Sequence, residues 1–294
     1  MDDSTSSRDR SIFHGGDLAW AERRFGRPAA GWVDLSTGIN PWPYPLPTLP
    51  AEAWARLPDA AALGALEAAA AGCYGAPSPE HIAAAPGTQA LIRLLPRLRP
   101  PGRVAVVGPT YAEHAAGWRD AGHRVVDAAD PLDAEAAAAD PVAAATGTDI
   151  VVVTNPNNPD GRTHAPEALL AAAEALAARG RLLLVDEAFA DVAPEVSLAP
   201  HCGRPGLVVL RSFGKFFGLA GLRLGFALAE PALAATIRAA LGPWPVAGPA
   251  IAVARTALAD RAWIAGTRAR LAEAAAELRA TLAAAGLAIV GGTD

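Results

Sequence analysis

From about Thr48 onward, short apolar runs bounded by turn residues alternate with longer stretches in which apolar positions recur at helical spacing. The short runs are Arg103 to Gly108, Ile150 to Thr154, Leu182 to Asp186, Leu207 to Leu210 and Leu222 to Ala227. Runs this brief and this uniformly apolar read as strands buried on both faces. Between them, Leu91, Leu94, Leu95 and Leu98 follow Thr88, which reads as an N-cap. Leu169, Ala173 and Leu176 lie between Pro166 and Gly180, the punctuation of a helix start and stop. Strand and helix in alternation predict an α/β domain around a mostly parallel sheet. In such open sheets the loops after the strands' carboxyl ends form the crevice where ligands gather.

The flanks break this rhythm. Residues His14 to Pro47 read as an irregular arm, because Asn40-Pro41-Trp42-Pro43-Tyr44-Pro45 is too rich in proline for a helix or a central strand. Beyond Pro231 a stretch of turn formers, Gly242-Pro243-Trp244-Pro245, precedes a long helix that carries Ile264, Thr267, Leu271, Ala274, Leu278 and Leu282 on one face. The expected organisation is therefore an arm over 1–47, a large domain over 48–230 and the start of a smaller one over 231–294.

Composition narrows the function. The chain has 294 residues, 52% hydrophobic and 19% charged, with 26 prolines and 28 glycines, which fits a globular protein with many turns. A net charge of -5 and the absence of a basic run exclude a nucleic-acid backbone as partner. Cys73 and Cys202 have neither a redox nor a zinc-ligand spacing, so they read as free thiols in a reducing compartment, and no metal is expected. Met1 to Arg10 are polar and lack the apolar core of a signal peptide. No apolar run is long enough to span a membrane, and a cytoplasmic location is expected.

The chemistry concentrates at the predicted strand ends. Ser212-Phe213-Gly214-Lys215, with Arg223 eight positions later, offers an amine, a hydroxyl and a guanidinium. A lysine can hold pyridoxal 5'-phosphate covalently at its aldehyde, while Ser212 and Arg223 take the phosphate, the arginine by a two-pronged contact. Asp186 ends the run Leu182-Leu183-Leu184-Val185. It reads either as a helix N-cap or as an anion that keeps a pyridinium nitrogen protonated, and the lysine downstream favours the second role. Thr154-Asn155-Pro156-Asn157-Asn158-Pro159-Asp160-Gly161 is a turn by composition, and Asn158 in it suits a hydrogen bond to the cofactor's phenolate oxygen. Pro86-Gly87-Thr88-Gln89 opens a helix whose first amides suit an anion, with Gly87, Thr88 and Gln89 as donors or close-approach positions. Tyr111 is either a core aromatic or a ring that stacks on the pyridine.

In this order, the elements at Gly87 to Gln89, Tyr111, Asn158, Asp186 and Ser212/Lys215/Arg223 resemble the class I/II aminotransferase family of pyridoxal-phosphate enzymes over most of the chain. The resemblance implies fold type I: a three-layer α/β/α large domain, a smaller α+β C-terminal domain and a homodimer. Lys215, Asp186 and Tyr111 would be the catalytic group. The arm, through His14-Gly15-Gly16-Asp17 and Asp34 to Pro45, looks most like the threonine-phosphate decarboxylase branch, which serves cobalamin biosynthesis. It implies a phosphorylated amino acid as the small-molecule partner, with His14, Gly15, Gly16, Gly38 and Asn40 as substrate contacts. The product would be 1-amino-2-propanol phosphate. Two departures stand against the family pattern. Leu57 occupies the position of a tyrosine that histidinol-phosphate aminotransferases present to the cofactor phosphate. The chain also stops at Gly291-Gly292-Thr293-Asp294, before the arginine that clamps the substrate carboxylate, so the small domain is expected to be incomplete. The alternatives are transamination, of histidinol phosphate or another amino acid, and a non-catalytic ligand binder on the same fold.

Overall fold

The computed structural model describes residues 14–127 and 147–293, so the polar leader lies outside the described residues. The segment up to Ile39 and the segment from Asn40 onward are two compact units. In the first, α1 (Leu18–Phe25) begins at Asp17, whose side chain accepts from the Trp20 amide at 2.8 Å. Ser36 staples the two ends of this unit: its Oγ accepts from the Gly16 amide at 2.8 Å, and its own amide donates to Asp34 Oδ1 at 2.8 Å. A Cβ at Gly15 would stand 2.2 Å from the Ser36 carbonyl oxygen, so this approach needs glycine. The two arm motifs carrying His14 to Gly16 and Gly38 are thus parts of one small unit.

The second unit is built on β1 (Ile82–Ala85), β2 (Arg103–Val106), β3 (Arg124–Asp127), β4 (Ile150–Thr154), β5 (Leu182–Asp186), β6 (Leu207–Ser212) and β7 (Gly225–Ala229). They form a seven-stranded sheet in the order β1-β7-β6-β5-β4-β2-β3. Strands β3, β2, β4, β5 and β6 run parallel, while β7 is antiparallel to both its neighbours. Successive residues serve opposite faces, as strand geometry requires. Leu183, Val185, Val151 and Val153 pack with Leu66 and Tyr74 of α3 (Ala60–Tyr74), with Leu169 and Leu176 of α6 (Pro166–Ala177) and with α9 (Gly248–Ala259). Leu182, Leu184, Ile150 and Val152 pack with Leu91 of α4 (Thr88–Leu94), Trp118 of α5 (Ala112–Asp120) and Ile237 of α8 (Pro231–Leu241). Both faces are covered, which gives the three-layer α/β/α architecture expected from the sequence. Also present are the short helices α2 (Glu52–Ala55) and α7 (Phe213–Phe216), and the long α10 (Arg261–Ala284).

The strands at Ile150–Thr154 and Leu182–Asp186 have the bounds the sequence predicts. Thr88 does not cap its helix: it is the first residue of α4, and Gly87, at φ +88°, takes the cap position. Pro96 then converts the predicted continuation through Leu98 into a 3₁₀ turn, since it cannot donate to the α-helical ladder. Of the apolar face expected on α10, Ile264 and Thr267 are buried and Leu271 packs against the core, whereas Leu278 is exposed. Cys73 and Cys202 are free, and burial pushes each thiol up to about 11, far from the reactive thiolate.

Candidate active site

Five segments converge at the carboxyl edge of the sheet. Asp186, last residue of β5, is 4% exposed. Its Oδ1 accepts from the Ala188 amide at 3.0 Å and its Oδ2 from His114 Nε2 at 2.8 Å. Each carboxylate oxygen retains a further lone pair, so these bonds orient the group without exhausting it. His114 is fully buried on α5, and its Nδ1 has no hydrogen-bond partner among the described residues. One signal could have found it: His114 lies three positions beyond Tyr111, and residues three apart share a helix face.

Lys215 sits in α7, the single turn that follows β6. Its Nζ stands 5.4 Å from the centre of the Phe189 ring. Burial holds its pKa below that of an ordinary lysine; the nearby Asp186 carboxylate opposes this shift and the Arg223 guanidinium adds to it. Lysine, aspartate and arginine are therefore electrostatic neighbours. Lys215 is also the single lysine among 25 basic residues, the other 24 being arginines.

Arg223 adopts a left-handed backbone, φ 50° and ψ 64°, at a cost of roughly 1–2 kcal/mol for a residue with a Cβ. Such outliers concentrate at functional positions. Its guanidinium lies against the start of α4: a Cβ at Gly87 would stand 2.7 Å from Arg223 Nη2, and one at Gly225 would stand 2.5 Å from the Thr88 amide nitrogen. Two missing side chains thus let a helix N-terminus, a guanidinium and the start of β7, paired with Ser212 at the end of β6, close into one cradle with donors on several sides. Ser212 terminates β6 and makes no capping bond of its own. The Gln89 side chain is engaged elsewhere, donating to Glu113 Oε2 at 2.5 Å and accepting from the Tyr111 hydroxyl at 3.3 Å. What Gln89 can offer an anion is its main-chain amide. The cradle's donor set fits a phosphate monoester.

Tyr111 is half-buried, with its ring edge-on to His114 at 6.1 Å. Burial raises its hydroxyl pKa, with the Glu113 and Asp186 charges adding to the shift. In the loop after β4, Asn155 is fully buried and bonds the His164 amide at 2.8 Å, and Asn157 donates to the Pro109 carbonyl at 2.9 Å and to Asp160 Oδ1 at 2.8 Å. These two asparagines shape the loop, and the exposed Asn158 between their bonds remains available for a ligand. Asn40 is 8% exposed, and its side chain is spent on the backbone next to Lys215, donating to the Phe216 carbonyl at 2.8 Å.

A mostly parallel sheet covered on both faces, with a lysine, a carboxylate and a guanidinium at its strand ends, defines the fold type I class of α/β enzymes. The family described as aminotransferase class I and II matches residues 47–293, and the chain belongs to it. A threonine-phosphate decarboxylase from Pseudomonas aeruginosa is 52% identical over 248 residues, covering 84% of this chain and 71% of that protein. One from Sinorhizobium sp. is 47% identical, covering 96% of this chain and 81% of that protein. The solved structure of the histidinol-phosphate aminotransferase from Sinorhizobium meliloti, in complex with pyridoxal-5'-phosphate, superposes with a TM-score of 0.77 at 25% identity, covering 99% of this chain and 81% of that one.

Proposed function

We propose that the chain is a pyridoxal-phosphate-dependent decarboxylase of O-phospho-L-threonine. The observation that carries the reading is the convergence of a single lysine on Asp186 and on the arginine-lined cradle, in a chain about half identical to two threonine-phosphate decarboxylases. Lys215 would hold the cofactor covalently. Arg223, Ser212 and the amides from Gly87 to Gln89 would take its phosphate, Asn158 its phenolate oxygen, and Tyr111 one ring face. Bound there, the cofactor supplies an electron sink for the pair released at the substrate's α-carbon. Asp186 keeps a proton on the ring nitrogen, and His114 donates to Asp186 so that its charge stays aimed. Lys215 would also be placed to return a proton to the substrate's α-carbon, and burial, which lowers its pKa, makes its ammonium form the readier donor. By resemblance to the threonine-phosphate decarboxylases, His14 and the amides of Gly15 and Gly16 would donate to the substrate's phosphate, and Gly38 would be a further substrate contact.

The reaction consumes phosphothreonine and yields carbon dioxide and 1-aminopropan-2-yl phosphate. Incubating the purified chain, loaded with pyridoxal phosphate, with O-phospho-L-threonine should give both products by mass spectrometry without any added ketoacid. Lys215→Ala should abolish them and should also abolish borohydride trapping of a pyridoxyl group. The structural likeness to a histidinol-phosphate aminotransferase supports a second reading. Turnover that demands pyruvate or 2-oxoglutarate and releases no carbon dioxide would establish that one instead. A homodimer is the assembly that best accounts for the exposed side chains of Leu46, Trp54, Leu57 and Trp244, each between 57% and 71% accessible.

A further inference from the structure

Lys215 lies in a helix of four residues. One turn is too short to sustain itself, and of its last carbonyls only that of Lys215 is met locally, by the Gly218 amide at 3.2 Å. A segment remote in sequence adds further donors to all of them. The Asn40 amide donates to the Lys215 carbonyl at 3.1 Å, the Asn40 side chain to the Phe216 carbonyl at 2.8 Å, and the Tyr44 amide to the Phe217 carbonyl at 2.9 Å. Asn40 Oδ1 accepts from the Trp42 amide at 2.9 Å, so both ends of this buried side chain are fixed. The seam is tight: a Cβ at Gly218, φ +66°, would stand 2.7 Å from Pro43 Cα and 2.8 Å from the Asn40 carbonyl oxygen. On its other side the segment is anchored to α10. The Tyr44 hydroxyl reaches Asp260 Oδ2 at 3.2 Å, its ring meets Trp263 edge-on at 5.0 Å, and the Arg270 guanidinium stands 3.7 Å from the Trp42 ring centre.

We propose that Asn40 is a positioning residue for Lys215, capping the lysine-bearing turn from outside and so fixing where the amine stands relative to Asp186 and Arg223. This role differs from the substrate contact expected from the sequence, and it rests on the reading that Lys215 carries the cofactor. Two of the three bonds are made by Asn40 and end on Lys215 and on the residue after it. Losing the side-chain bond to Phe216 loosens the turn from which the lysine projects, and reactive constellations tolerate displacements of only about 0.5 Å. The amine faces Asp186 from the end of β5, Arg223 from the turn before β7 and the Phe189 ring from the loop after β5. A loosened turn lets it move from these neighbours toward water.

The test uses the chain's single lysine. Reductive methylation of the full-length protein across a pH series, read by peptide mass spectrometry, gives the protonation midpoint of Lys215 with no cofactor present. Asn40→Ala removes both side-chain bonds, whereas Asn40→Asp keeps an acceptor for Trp42 and removes the donor to Phe216. Both should raise the midpoint by about half a unit or more, toward that of a solvated lysine. Tyr44→Phe, which loses only the contact with Asp260, should match the parent. Folded Asn40 variants with the parental midpoint would overturn the proposal, as would failure of both to fold, since the contact would then serve stability alone. Borohydride trapping on the loaded parent tests the cofactor reading separately, so either idea can fall while the other stands.

Discussion

At the scale of single residues, Lys215 and Arg223 each carry a cost that the fold tolerates. Burial depresses the lysine pKa below 10.5, so the folded protein binds fewer protons than the unfolded chain between the depressed value and 10.5. Stability linked to this residue therefore rises with pH across that window, and below it the charged amine is a liability. The cofactor-free Lys215→Met variant should melt above the parent near neutral pH, and the gap should close as the pH approaches 10.5. A gap that does not change with pH would count against a buried, charged amine. Arg223 is left-handed, so Arg223→Gly should be more stable than Arg223→Ala by about 1 kcal/mol in thermal melts, because glycine alone relieves the backbone. Both should lose affinity for pyridoxal phosphate to a similar extent in equilibrium dialysis, since both lose the guanidinium. The sequence made Lys215, Asp186 and Arg223 legible because each ends, follows or directly precedes a strand whose apolar run is unmistakable. It could not reveal that the Asn40 side chain is spent on the Phe216 carbonyl, or that Gln89 is tied to Glu113, since both depend on neighbours remote in sequence.

At the scale of elements, legibility followed composition. β4 and β5, rich in valine and leucine, have the bounds expected from their sequences. β1 (Ile82-Ala83-Ala84-Ala85) escaped notice because alanine has a poor strand propensity; it is a strand because β7 pairs along it and both its faces are buried. β3 escaped as a short run at the sheet edge. A second feature invisible in the sequence binds the active strands together. Arg211, on β6 immediately before Ser212, is buried and pairs with Glu187 Oε2 at 3.0 Å and Asp191 Oδ1 at 2.8 Å. Glu187 directly follows Asp186 and also accepts from Ser197 Oγ at 2.5 Å and the Leu198 amide at 2.6 Å. This cluster ties the ends of β5 and β6, and with them Asp186 and the lysine turn. Burial pushes both carboxyls upward and the guanidinium pulls them back. Arg211→Met should therefore cost about 3–5 kcal/mol in urea unfolding, because two buried carboxylates lose their cation. Their folded pKa values would rise further, so the folded variant takes up protons that the unfolded chain does not, and the deficit should shrink as the pH falls toward 4.5. A deficit that grows with acidity would mean that the carboxyls are held charged by something other than Arg211.

At the scale of the whole molecule, the apolar side chains left in water bear on assembly. Gly248 at the start of α9 lies against α2, where a Cβ would stand 2.3 Å from the Ala53 carbonyl oxygen. Trp54 and Leu57 flank that contact in the chain on one side and Trp244 on the other, all largely exposed. A tryptophan buries 150–250 Å² when covered, and aromatic anchors of this kind dominate association energies. Trp244 is in addition held at φ 56°, an unfavourable backbone for a bulky side chain. If two copies meet through this face, the parent should sediment at twice its 29.9 kDa mass. Trp54→Asp combined with Trp244→Asp should then shift it to the monomer at micromolar concentration while leaving the thermal transition of the isolated fold nearly unchanged, since neither ring contributes to the core. A parent that sediments as a monomer, or a double variant that remains dimeric, would assign these side chains to some other contact. A lower-melting double variant with unchanged mass would instead show that the tryptophans stabilise the subunit itself.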